Sequence, residues 1–243
     1  MDNTNSMMER LDEFLLDVQK PSRYIGGETG SVVKDKSKVD IRFAFCFPDT
    51  YEIGMSHLGM KILYGLKNAV PNYWCERVFM PLPDMEEQMR ARDIPLYALE
   101  SLDPIKDFDF IGFTLQYEMS YTNVLEMLDL AGVPVLASER EGLTPIVMAG
   151  GPCVCNPEPL VDFFDLFAIG EGEEMNLELM RLVEDPAGIP APRRPDRGNI
   201  RSVAVRRGLQ RGRHRKVDNS EGRRPRKGQE AHYKGLRQGI CAG

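Results

Sequence analysis

The sequence predicts an α/β fold built on a doubly wound, mostly parallel sheet, followed by a disordered basic tail. Short apolar segments alternate with helical segments from residue 41 to residue 183, which is typical of a parallel sheet with crossover helices on both faces. Charge divides the chain as well. Residues 186–243 hold 16 Lys and Arg against 4 Asp and Glu, a net +12, so residues 1–185 hold the other 15 against 33, a net −18. The two parts therefore need separate interpretations.

Residues 1–19 form a separate N-terminal segment. Apolar residues recur there at the spacing of one helix face and predict an amphipathic helix that ends before Pro21. These residues are Met7, Leu11, Phe14, Leu15 and Val18. We expect this helix to pack on the following domain, residues 20–183.

Strands and helices alternate in order through that domain. The candidate strands cover residues 41–47, 76–80, 95–101, 107–116, 133–137, 145–151 and 166–170, of which five or six are expected to pair. The helices cover residues 55–69, 83–93, 121–132, 158–164 and 171–183. The first of them is expected to present Leu58, Ile62, Leu63 and Leu66 on one face. Gly132 is placed to end the helix at 121–132.

Cysteine usage and the N-terminus indicate a reducing compartment. The five cysteines are odd in number and irregularly spaced, unlike a disulfide framework. The N-terminus is acidic, and no stretch approaches the 18 apolar residues of a membrane span. We therefore expect a soluble, cytoplasmic protein that does not enter a membrane.

Four loops are the candidate ligand site. In open parallel α/β sheets ligands lie at the carboxyl ends of the strands, where backbone N–H groups of loops and helix starts converge. This rule selects residues 48–59, 115–123, 149–160 and 170–175, which are rich in Gly, Pro or paired acids.

Each loop also has a purely structural explanation. Gly54 and Gly59 fit tight packing as well as ligand contact, and acids such as Glu173 are favoured in any first helical turn. His57 stands beside a helix start, where a lone histidine is more often structural than a ligand. Cys153 and Cys155 suggest metal or redox chemistry by their C-x-C spacing, but nothing nearby completes a site, so an unpaired loop thiol is favoured.

Five blocks of the sequence carry a family resemblance. They are FPDTYEIGMSHLG, GFTLQYEMSYTNVL, AGGP-NPEP-D-IGEGEE, KPSRYIGGE and ERVFMPLPDMEEQMR. Over residues 18–183 they are similar to the N-terminal region of a family of radical S-adenosylmethionine (SAM) proteins that place a cobalamin-binding-like domain ahead of the radical SAM barrel. The resemblance implies a Rossmann-like, cobalamin-binding type of fold, with a corrin ring across the carboxyl edge of the sheet.

It also implies the residues of the crevice. These are Pro48, Asp49, Tyr51, Gly54, Met55, Ser56, His57, Gly59, Gln116, Tyr117, Glu118, Ser120, Gly150, Gly151, Pro152, Gly170, Glu171, Gly172 and Glu173. The sequence departs from one cobalamin signature, D-x-H-x-x-G, because no Asp stands two residues before His57. Cobalamin is therefore expected without a histidine ligand to cobalt.

A second departure concerns activity. Radical SAM chemistry uses a C-x-x-x-C-x-x-C triplet to hold a [4Fe–4S] cluster that binds SAM, and this chain has no such triplet. We expect the cluster, SAM and the barrel in the parent protein, and a chain that is not active by itself. The alternatives are a complete small-ligand module with a nucleic-acid-binding tail, and a Rossmann shape retained as a scaffold.

Residues 184–243 do not continue the family pattern. Their Arg and Gly are typical of a nucleic-acid-binding tail, but a simpler explanation does not require that role. Codons can be chosen for residues 198–210 that, read one base later, encode Gly-Ile-Phe-Val-Pro-Ser-Arg-Tyr-Asp-Val-Gly-Tyr, which resembles the family. We interpret the tail as a frameshift that begins between residues 180 and 198.

Overall fold

The computed structural model describes residues 6–140 and 144–184. Within them the α-helices are α1 (Met7–Asp12), α2 (Tyr51–Ser56), α3 (Leu58–Asn68), α4 (Pro83–Ala91), α5 (Tyr121–Leu130) and α6 (Gly172–Glu184). The strands are β1 (Ile41–Phe47), β2 (Tyr73–Phe79), β3 (Phe110–Thr114), β4 (Ile146–Gly150) and β5 (Leu166–Phe167). Beyond residue 184, the predicted disordered tail lies outside the described residues.

The five strands form one parallel sheet in the order β2-β1-β3-β4-β5. The chain passes outward from β1 to β2 and then returns across β1 to β3, so the direction of winding reverses at β1. Helices cover both faces of the sheet. This arrangement confirms the predicted doubly wound α/β fold.

Strand β1 supplies both hydrophobic cores, because successive side chains of a strand point to opposite faces. Phe43 and Phe45 belong to the core under α3 and α6, whereas Ala44 and Cys46 belong to the core under α1, α4 and α5. Phe43 stacks on Phe110 with ring centroids 5.6 Å apart. Gly112 of β3 is required beside it, since a Cβ there would lie 2.3 Å from the Phe43 ring.

Two predicted strands are wrong. Residues 95–101 make a single antiparallel bridge, between Tyr97 and Pro104, instead of joining the sheet. Their backbone is used elsewhere, because the Leu96 N–H bonds to the end of α5 and the Leu99 N–H bonds to the Arg77 carbonyl of β2. Residues 133–137 do not form a strand either; they lead into a 3₁₀ turn, Ala137–Glu139.

The N-terminal helix is shorter than predicted. It begins with a capping box between Ser6 and Glu9 and ends at Asp12, and a 3₁₀ turn, Leu15–Asp17, follows. The apolar residues after the break are nevertheless buried, with Phe14 1% exposed. The prediction of a docked apolar face is therefore confirmed, although one continuous helix is not needed to make it.

The four residues predicted to share one face of α3 do not form its buried side, although Leu63 packs partly against the core. Met60, Tyr64 and Lys67 face the sheet, whereas Leu58 is 69% exposed and Ile62 is 44% exposed. Two apolar stripes share this helix, and spacing alone does not decide between them. The stripe with Lys67 is buried because its ammonium lies over the rings of Phe43 and Phe45, at 4.4 and 4.5 Å.

A segment of residues 24–34, which we call the N-terminal strap, lies against the edge strand β2. The Trp74 Nε1 donates a hydrogen bond of 2.8 Å to the Val32 carbonyl, and Arg77 forms an ion pair of 2.8 Å with Glu28. Every residue of β2 is buried as a result. None of the helices within residues 6–140 and 144–184 combines the length and apolar character of a membrane span.

Candidate functional site

The reversal of winding at β1 places a crevice between the carboxyl ends of β1 and β3. This is the position where doubly wound sheets bind ligands, because the loops on its two sides lead away in opposite directions. The loops after β4 and β5 continue the same edge, since those strands follow β3 in the sheet. All four loops predicted from the sequence therefore meet along one edge.

A hydrogen bond between side chains crosses the crevice. The Tyr117 hydroxyl, from the loop after β3, donates to Asp49 Oδ2, from the loop after β1, over 2.8 Å. The other oxygen, Asp49 Oδ1, accepts the Thr50 N–H at 2.6 Å. The bond to Asp49 raises the pKa of Tyr117, so the hydroxyl stays a donor at neutral pH.

The loop after β3 is held by its own side chains. Gln116 Nε2 donates to Thr114 Oγ1 at 2.8 Å, and the buried Ser120 hydroxyl donates to the Tyr117 carbonyl at 2.8 Å. Asn123 of α5 donates to the Pro48 carbonyl across the crevice at 3.0 Å. These contacts leave Tyr117 43% exposed and Met119 81% exposed, so two large apolar groups face solvent at this edge.

His57 serves as the N-cap of α3. Its Nδ1 accepts the Met60 N–H at 3.1 Å, and its ring lies 5.3 Å from that of Phe47. A ring nitrogen that accepts must be unprotonated, which puts the proton of a neutral histidine on Nε2. The arrangement thus presents no free Nε2 lone pair to a metal, and it favours the structural explanation of this histidine.

Three of the predicted residues of α2, Tyr51, Gly54 and Met55, contact the N-terminal strap or β2. The Tyr51 hydroxyl donates to Glu28 at 3.0 Å, and burial together with this bond raises the pKa of Tyr51 to about 12. Met55 Sδ accepts from Arg77 Nη1 at 3.1 Å. A Cβ on Gly54 would lie 2.2 Å from the Phe79 ring, so Gly54 allows close packing. The Ser56 hydroxyl bonds back to the carbonyl of its own helix.

The loop after β4 approaches the loop after β3 closely. Gly151 has φ = +96°, and a Cβ there would lie 2.6 Å from the Leu115 carbonyl oxygen, so both conformation and space demand glycine. The neighbouring Gly150 is more open, because a Cβ there would lie no nearer than 3.9 Å to any other atom. Gly151 and Pro152 are exposed at the edge.

The start of α6 completes the edge. Gly170 has φ = +126° and open space around it, whereas a Cβ on Gly172 would lie 3.3 Å from Leu63 of α3. Gly172 therefore serves the packing of α6 on α3. Glu171 and Glu173 are exposed, where the amino end of a helix stabilises their charge.

The described residues contain no cluster of three or more His, Cys, Asp and Glu side chains that could hold a metal ion. Burial raises the pKa of the Cys153 thiol, so it stays protonated. Cys155 is exposed. Among the charged side chains exposed in the four loops are the carboxylates of Glu118, Glu171 and Glu173, which favours a neutral or cationic ligand over an anionic one.

The sequence reasoning missed a cleft on the other side of β1. It lies at the carboxyl ends of β1 and β2, and residues far apart in the chain form it, which explains why no local signal revealed it. The lining residues are Arg23, Tyr24, Thr50, Tyr51, Phe79, Met80, Pro81, Leu82, Met89, Leu96, Tyr97 and Leu99. The block KPSRYIGGE contributes Arg23 and Tyr24, but its match to a family did not show what they contact.

The fold and the four loops at the carboxyl edge of the sheet define the chain as an open α/β domain. Domains of this kind bind ligands at the carboxyl ends of their strands. Residues 59–194, which are 136 of the 243 residues, match the family described as "Radical SAM proteins, N-terminal". The chain belongs to this family, as its motifs predict. Membership implies a [4Fe–4S] cluster and S-adenosylmethionine in the complete proteins.

A relative of known sequence is much longer. The uncharacterized protein MJ0966 of Methanocaldococcus jannaschii is 31% identical over 150 residues, which cover 60% of this chain and 28% of that protein. The chain thus spans less than a third of that relative. No solved structure matches this chain significantly.

Proposed function

We propose that this chain is the corrinoid-binding N-terminal region of a longer radical SAM enzyme. The observation that carries the proposal is the meeting of four predicted loops at the carboxyl edge of a doubly wound sheet, in a chain of this family. The enzyme's [4Fe–4S] cluster and SAM would lie in a radical SAM barrel beyond this region, because the chain has no C-x-x-x-C-x-x-C triplet.

The residues of the edge fit a corrin ring. A flat, largely apolar macrocycle needs an open surface with exposed apolar side chains, and Tyr117 and Met119 provide them. Gly150 and Gly170 offer backbone without side chains to obstruct the ring. The acidic edge suits the positive charge of aquocobalamin, the form in which water replaces the hydroxide of hydroxocobalamin.

Cobalt would keep no protein ligand in this arrangement, since His57 Nδ1 is already bonded within α3. When bound, cobalamin would supply cobalt-centred chemistry. The chain's own residues would bind and orient it. Opening the Tyr117–Asp49 bond would free both side chains for the ring or its amide groups.

Equilibrium dialysis of the full chain against hydroxocobalamin tests the proposal. We expect saturable retention at one site per chain, with a change in the visible spectrum of the bound corrinoid. A chain that retains no more hydroxocobalamin than an unrelated protein of equal net charge would remove the cofactor role and leave the fold as a scaffold.

A further inference from the structure

The cleft at the carboxyl ends of β1 and β2 lies on the other side of β1 from the crevice. Its empty space amounts to about 410 Å³, part of it open to solvent, and its lining residues are apolar or aromatic except for Arg23 and Thr50. Small-molecule sites typically have such a wall, with a few polar groups that fix the orientation of the ligand. The polar groups of this cleft therefore indicate which ligand it takes.

Arg23 brings an unused hydrogen-bond donor to the cleft. Its side chain is 11% exposed, and its Nη1 is buried and has no hydrogen-bond partner among the described residues. The other two nitrogens, Nε and Nη2, donate to Glu52 Oε1 at 2.9 and 2.7 Å. The Tyr24 hydroxyl also interacts with this guanidinium, but without a hydrogen bond to Nη1. A buried donor without an acceptor destabilises a fold, so a ligand that supplies the acceptor regains that free energy on binding.

The charges around Arg23 favour an anion as that acceptor. Glu52 is shared by Arg23 and Lys20, at 2.7 and 3.2 Å, so two cations face one carboxylate. The nearby Asp84 carboxylate already accepts two backbone N–H groups. The amino end of α4 adds to the positive potential, because its N-cap residue, Leu82, lines the cleft and supplies no side-chain cap.

We propose that this cleft binds a small carboxylic acid, whose carboxylate accepts the Arg23 Nη1 hydrogen bond and whose apolar body of a few carbons contacts the wall. A carboxylate is favoured over a neutral carbonyl, since hydrogen bonds between charged partners are stronger. Thr50 offers a second donor, because its hydroxyl does not cap α2. Nη1 is shielded from solvent, so the ligand must widen the cleft slightly as it enters. The inference goes beyond corrinoid binding, because the cleft and the crevice lie on opposite sides of β1.

Three probes with the same carbon chain and different head groups test the proposal. They are hexanoate, hexanamide and hexylamine, and isothermal titration calorimetry of the full chain at neutral pH measures their affinities. We expect hexanoate to bind about tenfold more tightly than hexanamide, and hexylamine not to bind, because its cation meets Arg23. A chain that does not bind hexanoate, or that binds it no more tightly than either analogue, would overturn the proposal.

Substitutions locate the bound hexanoate. Arg23→Met removes the Nη1 donor and keeps an unbranched apolar side chain, so hexanoate affinity should fall by about tenfold or more. Lys20→Met is the matched control, because Lys20 bonds to the same Glu52 but is 67% exposed and does not line the cleft. It should change the affinity by less than about twofold. Equal losses in these two variants would assign the effect to general charge and overturn the proposal.

Met80→Trp gives a second test that leaves Arg23 in place. Met80 is a partly buried residue of the cleft wall, and a larger side chain there takes the space of the ligand's apolar body. Hexanoate affinity should fall by about tenfold or more, while thermal unfolding confirms that each variant is folded. A folded Met80→Trp chain that binds hexanoate as tightly as the parent would place the ligand outside the cleft.

Discussion

Lys67 shows how a single residue balances two effects. Its side chain is 1% exposed, and its Nζ has no hydrogen-bond partner among the described residues. The rings of Phe43 and Phe45 lie 4.4 and 4.5 Å away and attract the cation in part. Burial nevertheless lowers the pKa of Lys67 from 10.5 to about 8, because the ammonium group loses its hydration.

Lys67→Met should stabilise the protein by about 1–3 kcal/mol at pH 7, because it keeps the apolar stem and removes a buried charge. The gain should shrink as pH rises from about 8 to about 10.5. In that window the unfolded chain binds the proton at residue 67 and the folded chain does not, so the stability of the parent rises with pH. Urea unfolding of both chains at several pH values measures the difference. A gap that does not change with pH, or a less stable variant, would contradict this account.

At the scale of a structural element, Arg77 connects the N-terminal strap to β2. Its guanidinium bonds to Glu100 over 2.6 Å and to Glu28 over 2.8 Å. The Glu100 side chain is fully buried, and burial raises the pKa of this carboxyl. The pair therefore tolerates burial only while both partners are present.

Arg77→Met should destabilise the fold by about 3–5 kcal/mol, since it leaves the Glu100 charge buried without its partner. It should also free the strap, so that a protease cuts between residues 24 and 34 sooner. The double variant Arg77→Met, Glu100→Gln removes the uncompensated charge and should recover part of the loss. Thermal unfolding with limited proteolysis checks both effects. Equal stability of the single and double variants would show that the charge is not the cause.

Elements with continuous apolar runs could be predicted from the sequence. β1 was predicted with the observed bounds, and β3 and β4 lie inside their predicted segments. Where a predicted strand is wrong, hydrogen bonds between residues far apart in the chain are the reason. Residues 95–101 are apolar enough for a strand, but their N–H groups bond to α5 and β2 at different points, which no local pattern reveals.

The candidate site could be predicted as a set of loops, though not as a set of side chains. Parallel strands bring the four loops to one edge, whatever their residues are. Whether a side chain faces the edge depends on tertiary contacts. Tyr51 and Met55 turn toward Glu28 and Arg77, and those partners come from the strap and from β2. Ligand roles for the edge residues remain predictions.

At the scale of the whole molecule, the family match extends to residue 194 and the basic composition begins near residue 193. We propose that the chain leaves the gene's original frame between residues 180 and 198. The coding DNA, read one base later from that point, should encode the family-like text beginning Gly-Ile-Phe-Val-Pro. Sequencing that DNA checks it, and any other text in the shifted frame would refute the frameshift and favour a genuine basic tail.

The central claim is that a corrinoid binds at the carboxyl edge of the sheet. The most direct measurement is hydroxocobalamin affinity for Met119→Glu, beside Leu16→Glu as a matched control. Both residues are exposed, 81% and 88%, so neither change should unfold the chain. Our account predicts about tenfold weaker binding for Met119→Glu, from lost apolar contact, and unchanged binding for Leu16→Glu. Equal affinities for the two variants, or no binding by the parent chain, would contradict it.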